Sequence, residues 1–278
     1  MTKTSASPLS SKTPCNPENL WQPERLAPVY FDDLRELFKL SEHGNWPTPN
    51  WLTDELRSYH NNMTISFEAN EAFADDTRYY EQIIYDDKRV PTRTENWHDL
   101  FNGLSWTLFP ETKLLLNRQH MEDISQFGLN PRTKRRNRIT HFDECGVVLA
   151  VANPSIASAL AEHQWTEAFY NKREEWGTHI RAFVFGHANY EMLLSPFLGL
   201  TAKWVSIDVN SNFFNLSLSE QYKQLDGELS EKVDNGLFSD KNGLKPLPLL
   251  GIPGWHKENC HPEFYDNTDY FRPKRGSQ

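Results

Sequence analysis

The chain reads WHDLFNGLSWTLF from residue 97 to residue 109, and this stretch has the clearest structural pattern in the 278 residues. Its apolar side chains recur at i, i+3, i+4, i+7 and i+11, counted from Trp97. That spacing predicts an α-helix with one buried stripe. Pro110 fits the first turn of a second helix, which we expect to end near Asp123.

Buried strands are predicted on the C-terminal side of these helices. Residues 147–151 form a continuous apolar run, and we expect a strand pair or a bent strand over residues 141–151, broken at residues 144–146. Strand, helix and strand patterns follow at residues 181–185, 187–197 and 202–209. This is the order of a βαβ unit, although the connection is short for one.

The pattern as a whole favours an α+β fold, with mixed α/β as the alternative, in which a single helix-rich domain surrounds a small sheet. Residues 1–20 are rich in Ser, Thr and Pro and are predicted to be a disordered tail. Residues 21–278 are predicted to form the domain, which becomes irregular from about residue 242. Further helices are expected over residues 31–40, 51–59 and 219–233, and a short strand over residues 63–67.

The composition limits the classes of partner. The net charge of −9 argues against general nucleic-acid binding. One basic run, at residues 132–138, is typical of a solvated loop or a frayed helix end, with a phosphate-facing role as its alternative.

Three cysteines without paired spacing indicate a reducing compartment, and no segment has the pattern of a signal peptide or membrane span. We therefore expect a cytoplasmic protein.

Three segments place a histidine beside acidic or amide residues, and the first lies on the helix at residues 97–109. His98 and Asn102 are four residues apart and share a face next to the apolar stripe, with Asp99 beside them. One interpretation is a carboxylate that orients an imidazole; the other is a helix-start Asp and a partly exposed histidine. The next helix carries a polar stripe, usually typical of a solvated face, at Lys113, Asn117 and His120.

The other two segments are residues 141–144 and 187–191. On a strand, His141 and Asp143 would face the same way, and Asp143 with Glu144 would suit a divalent cation or a general base; a plain turn is the alternative. His187 and Glu191 lie four apart on a helix that begins where a strand ends, although a structural histidine would give the same pattern. Because such groups are costly to bury unpaired, the three segments predict one shared polar pocket.

No known reaction motif accompanies these residues. The chain lacks the G-x-G-x-x-G, Walker A, H-E-x-x-H and G-x-S-x-G patterns. It does contain VPTR at 90–93, WHDLFN at 97–102, FDE at 142–144, FGHA at 185–188 with Glu191, PGW at 253–255 and FRP at 271–273. With these motifs the chain resembles, over about residues 25–275, a bacterial family known as domain of unknown function 3025. The resemblance implies a bacterial cytosolic protein and adds no mechanism.

The leading hypothesis is a metal-dependent hydrolase that acts on a small anionic substrate. A divalent cation would be bound by His187, Glu191 and Asp143. The catalytic residues would be His98, Asp99 and Asp143. The substrate would contact Arg93, Asn102 and His120. The alternative is a non-catalytic binding or scaffold protein in which the same side chains form a buried polar network. A third hypothesis is an RNA- or phosphate-associated protein that uses residues 132–138.

Overall fold

Buried β-strands form the core of the structure, a computed structural model that describes residues 20–239 and 244–274. The strands are β1 (Ser66–Ala69), β2 (Arg89–Thr92), β3 (Gly146–Val151), β4 (Ile180–Val184), β5 (Thr201–Asp208) and β6 (Lys245–Pro248). Four of them form a mixed sheet in the order β4-β3-β5-β6, and every residue of β3 is buried. β1 and β2 form a separate parallel pair, close to the strand predicted at residues 63–67.

Helices make up most of the remaining described chain. The α-helices are α1 (Asp32–Phe38), α2 (Pro49–Tyr59), α3 (Tyr80–Asp87), α4 (Trp97–Leu108), α5 (Pro110–Phe127), α6 (Lys134–Cys145), α7 (Pro154–Ala161), α8 (His187–Leu193) and α9 (Leu218–Asp234). Short 3-10 helices span Pro23–Leu26, Val29–Phe31, Leu40–Glu42, Asn70–Phe73, Arg173–Glu175, Ser211–Asn215, Leu249–Gly251, Lys257–Cys260 and Pro262–Asp266, and a π-helix spans Thr166–Asn171. The predicted α+β fold is confirmed, and α5 runs one turn beyond its expected end.

The strand–helix–strand order over residues 180–208 does not produce a βαβ unit. β4 runs antiparallel to β3, whereas β5 runs parallel to β3 and lies on its other side. β4 and β5 are therefore antiparallel and are not neighbours. The short connection through α8 is the physical reason, because adjacent parallel strands need a longer crossover. α8 itself ends at Leu193, before the residue 197 that the sequence suggested.

The helix predicted from Trp97 is α4, and its apolar stripe is buried as expected. Asn96 caps α4, because its Oδ1 accepts the backbone N–H of Asp99 at 3.0 Å. Phe101 stacks on Tyr190 of α8, with the ring centroids 5.3 Å apart. This contact holds α4 against α8 and determines which polar side chains of the two helices face each other.

Residues 141–145 are helical, so the predicted strand pair or bent strand over residues 141–151 is wrong in its first half. They end α6, which begins after Thr133, whose Oγ1 accepts the N–H of Arg136 at 3.0 Å. The buried side of α6 recurs every three residues, at Arg136, Ile139 and Phe142, which is a helical spacing. Extended structure starts only at Gly146, where a Cβ would lie 2.4 Å from the Phe142 carbonyl oxygen.

The basic run at residues 132–138 leads into α6 and forms its first turn, rather than a solvated loop or a frayed helix end. Arg136 is fully buried and donates to the Leu129 carbonyl at 2.8 Å. Arg135 forms an ion pair with Asp123 at 2.5 Å. The first turn of α6 packs against the end of α5. Several of these basic side chains therefore have hydrogen-bond or ion-pair partners within the protein.

The C-terminal segment is described from residue 244, whereas nearly all of the predicted N-terminal tail is not. From residue 244 the described chain is mostly single-turn helix and irregular segment, and it adds β6 to the edge of the sheet. The predicted tail at residues 1–20 lies, except for its last residue, outside the described residues. Within residues 20–239 and 244–274, we find no helix whose length and apolar character would allow it to cross a membrane.

Candidate metal centre

Three helices meet at one point and bring the three polar segments together. α4 contributes His98, α6 contributes Glu144 and α8 contributes His187. Nε2 of His98 lies 3.0 Å from Nε2 of His187. Oε2 of Glu144 lies 3.3 Å from Nε2 of His187 and 3.9 Å from Nε2 of His98. The structure therefore places the three segments in one pocket.

These three atoms are spaced as the ligands of a single ion would be. From the three distances, the point equidistant from the atoms lies about 2.0 Å from each of them, and zinc binds imidazole nitrogen and carboxylate oxygen at about 2.0–2.2 Å. Two histidines and one carboxylate also leave coordination positions open for water or substrate. We call His98, Glu144 and His187 the metal cluster below.

Gly186 permits the close approach of the helices that carry the cluster. It precedes α8, and its N–H donates to the Gly146 carbonyl at 2.9 Å. A Cβ at position 186 would lie 2.3 Å from the carbonyl oxygen of Glu144. Any side chain here would push the start of α8 away from the end of α6, and would therefore separate His187 from Glu144.

Burial determines the charge of the metal cluster. It lowers the pKa of His187 to about 3, so the imidazole is neutral at pH 7, as a metal ligand must be. Burial also raises the pKa of the Glu144 carboxyl above its ordinary value. A cation between these groups would favour the ionised carboxylate again. Nδ1 of His187 is buried and has no hydrogen-bond partner in the described structure.

Glu191, predicted to be a metal ligand, lies behind His98 and not at the cluster itself. Its Oε2 is 2.8 Å from Nδ1 of His98. In the neutral ring, a proton on Nδ1 donated to this carboxylate leaves the lone pair of Nε2 directed at His187 and Glu144. Carboxylates commonly orient metal-binding histidines in this way.

Asp143, predicted to be both catalytic and metal-binding, lies against a buried lysine. Nζ of Lys113 donates to Oδ1 of Asp143 at 2.6 Å and to Oδ1 of Asn102 at 2.9 Å, and Nδ2 of Asn102 donates to the Tyr80 hydroxyl at 3.1 Å. Burial works against the charge of Asp143, but the Lys113 ammonium outweighs it, so the pKa of the carboxyl stays below its ordinary value. The chain of bonds keeps Asp143 ionised and fixed in position.

Asp99 binds Arg93. Nη2 of Arg93 donates to Oδ1 of Asp99 at 2.7 Å, and the backbone N–H of Arg93 donates to Oδ2 at 2.6 Å. The carboxylate therefore anchors the segment between β2 and α4. The imidazole of His98, next to Asp99 in the sequence, has Glu191 as its carboxylate partner instead.

The metal cluster opens into a polar cavity of about 360 Å³. Seven of the eight predicted site residues line it, namely Arg93, His98, Asp99, Asn102, His120, Asp143 and His187. The polar stripe of α5 also faces this cavity, at Lys113, Asn117 and His120. All three residues of the stripe are buried, whereas such a pattern is usually solvated. Burial lowers the pKa of His120, so this histidine is also neutral at pH 7.

The sequence pairs Glu144 with Asp143 but does not predict Glu144 as a metal ligand. On the predicted strand, His141 and Asp143 would both face the pocket, whereas on a helix residues two positions apart face different sides. His141 is exposed accordingly. Thr140, Asp143 and Glu144 are at i, i+3 and i+4 and line the cavity together, so a helix over these residues would have placed Glu144 on the cavity wall.

Fold and site together define an α+β protein with two histidines and one carboxylate converging in a polar cavity. The chain belongs to the family described as protein of unknown function (DUF3025), whose model matches residues 65–275. The metal cluster and its neighbours all lie within this range, and the resemblance inferred from the motifs is confirmed. No curated protein and no solved structure matches the chain.

Proposed function

We propose that the protein is a metal-dependent hydrolase that acts on a small anionic substrate. One observation carries the proposal, namely the convergence of three ligand atoms from α4, α6 and α8 on the wall of an open polar cavity. A divalent cation held there would keep coordination positions for water and substrate. Such a cation lowers the pKa of a bound water toward 7 and polarises a substrate oxygen, which is the chemistry that hydrolysis requires.

The geometry suggests a role for each neighbouring residue. His98 would serve as a ligand, with Glu191 orienting its ring. Asp143, which Lys113 keeps ionised, would be the carboxylate that accepts a proton from the attacking water. The water oxygen would bond to the scissile carbonyl or phosphoryl atom as the bond from that atom to the leaving group breaks, and Asp143 would return the proton to the leaving group.

The charge of the cavity wall supports an anionic substrate. Arg93, Lys113 and Arg132 line the cavity together with four carboxylates, those of Glu81, Asp99, Asp143 and Glu144, so a divalent cation at the metal cluster would change the formal charge of the wall from −1 to +1. We also propose a cytoplasmic location, which is supported by the free thiols of Cys145 and Cys260.

The test is a hydrolysis screen of protein loaded in turn with zinc, manganese or magnesium. The substrates are chromogenic phosphate monoesters, phosphodiesters and carboxylic esters, each with and without a second acid group. We expect metal-dependent turnover of at least one class, and a loss of about 100-fold or more in His187→Ala and Glu144→Gln. His141→Ala is the matched control, because this exposed histidine lies on α6 outside the cluster. Equal turnover in His187→Ala and wild type would refute the proposal.

A second candidate, the non-catalytic binding protein, is favoured by one specific observation. Lys113, Asp143, Asn102 and Tyr80 bond to one another in an unbroken chain along the cavity wall. Such a chain fixes the packing of α4 against α5 and α6 without any chemistry. In that case wild-type protein would bind no metal and turn over no substrate in the screen, whereas Lys113→Met would lower the free energy of unfolding.

A further inference from the structure

The cavity has a second polar end, at the start of α6. Arg132, just before α6, lines the cavity here. From α6 itself, the cavity is lined by Ile139, Thr140, Asp143 and Glu144. Nη1 of Arg132 lies 3.5 Å from Oγ1 of Thr140, and four residues, or roughly 6 Å of helix, separate Thr140 from Glu144. The cavity therefore has the metal cluster on one side and Arg132 on the other, about one helical turn apart along α6.

A buried histidine at this second end lacks a partner. His120 lines the cavity and is 4 % exposed, and its Nδ1 has no hydrogen-bond partner in the described structure. Buried polar atoms are almost always bonded, so an unpaired ring nitrogen in a cavity wall is available to bind a ligand.

The positive charge at this end is also incompletely balanced. Arg132 donates to the hydroxyls of Tyr79 at 3.0 Å and Thr140 at 3.5 Å, and it forms no ion pair within the described ranges. Arg136, whose guanidinium lies 5.8 Å from the Tyr79 ring, is fully buried, and its Nε and Nη2 are unpartnered. Asp123 interacts electrostatically with Arg136 but forms its ion pair with Arg135, so a further anion near the buried guanidinium would stabilise it.

Two carboxylates lie near these two arginines. Glu81 lines this part of the cavity, and its Oε2 accepts Nδ2 of Asn117 at 2.8 Å, whereas Asp123 forms its ion pair with Arg135. Arg132 has no ion-pair partner within the described ranges, so this end of the cavity keeps one unpaired cationic side chain. Arginine is suited to bind such groups, because its planar fork matches the oxygens of carboxylate and phosphate.

We propose that this end of the cavity binds an oxyanion group of the substrate, either a carboxylate or a phosphate monoester, through Arg132 and His120. The scissile bond would then lie at the metal cluster, and this second statement rests on the proposed hydrolase function. The substrate class is accordingly a molecule whose acid group is separate from the group that is hydrolysed. The proposal also gives a role to the basic run at residues 132–138, which the metal cluster does not use.

The experiment is a nuclear magnetic resonance titration of chelator-treated, metal-free protein carrying labelled histidine. Inorganic phosphate and acetate are the two probes, added at constant ionic strength, and His120→Gln identifies the His120 ring signals. We expect these signals to shift saturably with at least one probe. Saturation by phosphate indicates a phosphate group in the substrate, and saturation by acetate indicates a carboxylate.

Two charge variants locate the binding site. Arg132→Gln should weaken the affinity about tenfold or more, because it removes the fork that contacts the anion. Lys134→Gln is the matched control, since it removes the same charge from an exposed side chain of the same segment and should change the affinity less than about twofold. Equal losses in both variants, or no saturable shift with either probe, would overturn the inference.

The two proposals fail in distinguishable ways. Saturable anion binding by a protein that binds no metal would overturn the hydrolase proposal and leave the anion site standing. Metal binding and turnover without a saturable shift of the His120 signals would overturn the anion site alone.

Discussion

Two polar side chains, Asn259 in the C-terminal segment and His187 in the metal cluster, are both enclosed but are bonded very differently. Asn259 is 1 % exposed, and its Nδ2 donates to the carbonyls of Leu250 at 3.0 Å and Ile252 at 2.6 Å. Its Oδ1 accepts the N–H of Gly254 at 3.4 Å. His187 is 5 % exposed, yet its Nδ1 is unpartnered and its Nε2 faces another imidazole nitrogen at 3.0 Å.

This difference separates a structural role from a functional one. A side chain that holds two segments together has its polar atoms satisfied within the fold, as Asn259 has. A buried group left unsatisfied beside similar groups costs stability, and natural proteins tolerate that cost at sites where a ligand completes the arrangement. By this criterion we expect a structural role for the C-terminal segment, and we propose the cavity at α4, α6 and α8 as the functional site.

The largest expected effect compares Asn259→Leu with His187→Leu in metal-free protein. Asn259→Leu should lower the free energy of unfolding by about 3 kcal/mol, because it leaves buried carbonyls and an N–H without partners. His187→Leu should cost about 1 kcal/mol, because it removes one contact between imidazole nitrogens, at 3.0 Å, and leaves no backbone group without its partner. Urea unfolding of both variants measures this, and equal losses would remove the distinction between the two regions.

Asp226 extends the comparison of Asn259 with His187, because its carboxylate has hydrogen-bond partners within the fold and can also change its charge with pH. Its carboxylate accepts the backbone N–H groups of Glu111 at 2.8 Å and Thr112 at 2.9 Å, at the start of α5. Burial nevertheless raises the pKa of Asp226 to about 6. In the unfolded chain the pKa of an aspartate is about 3.9. Relative to neutral pH, Asp226 therefore adds roughly 3 kcal/mol to the free energy of unfolding below about pH 4, and this contribution is lost as the pH rises through 6.

The check is the free energy of unfolding of wild type and Asp226→Asn between pH 4 and pH 8. The difference between the two proteins should shift in favour of the wild type on acidification, because only the wild type can protonate this carboxyl in the folded state. A difference that is constant, or that moves the other way, would show that the two N–H bonds outweigh burial.

The elements that could be predicted from the sequence are those whose pattern is strong on its own. The apolar stripe of α4 and the proline that begins α5 gave both helices at nearly their true positions. The sequence does not predict α6 in either half, because its buried face is narrow and includes an arginine, Arg136, of a type that is usually solvated. The spacing of polar residues along a helix does not indicate which of them are buried.

The candidate site was predictable in its location but not in its bonding. The three segments were identified, and they do meet. Which carboxylate faces which imidazole depends on contacts between residues far apart in the chain, such as His98 with Glu191. Glu144 and Asp143 are adjacent in sequence, yet only the helical geometry of α6 turns Glu144 to the histidines and Asp143 to Lys113.

Glu191→Gln tests the next contact outward from the metal cluster. The amide is a weaker acceptor for the Nδ1–H of His98, so we expect zinc affinity to fall about tenfold while the ion count at saturation stays the same. Calorimetric titration of zinc into metal-free protein measures both quantities. Glu231→Gln, an exposed glutamate on α9, is the control. An unchanged zinc affinity would remove Glu191 from the site.

The smallest effect is expected for Arg93→Gln. The Arg93 side chain is 57 % exposed, so its ion pair with Asp99 should contribute less than about 1 kcal/mol to the free energy of unfolding. Thermal unfolding at low and high salt should show that this small difference disappears as salt screens the pair. A loss of several kcal/mol would instead make Arg93 part of the structural framework.

The most direct test of the metal cluster is the metal content of untagged protein, measured by plasma mass spectrometry after equilibration with zinc and dialysis. The structure leads us to expect about one ion per chain, lost in each of His98→Ala, Glu144→Ala and His187→Ala and retained in His141→Ala. Wild-type protein without metal, or variants that keep the ion while folded, would contradict the assignment of His98, Glu144 and His187 as one metal site.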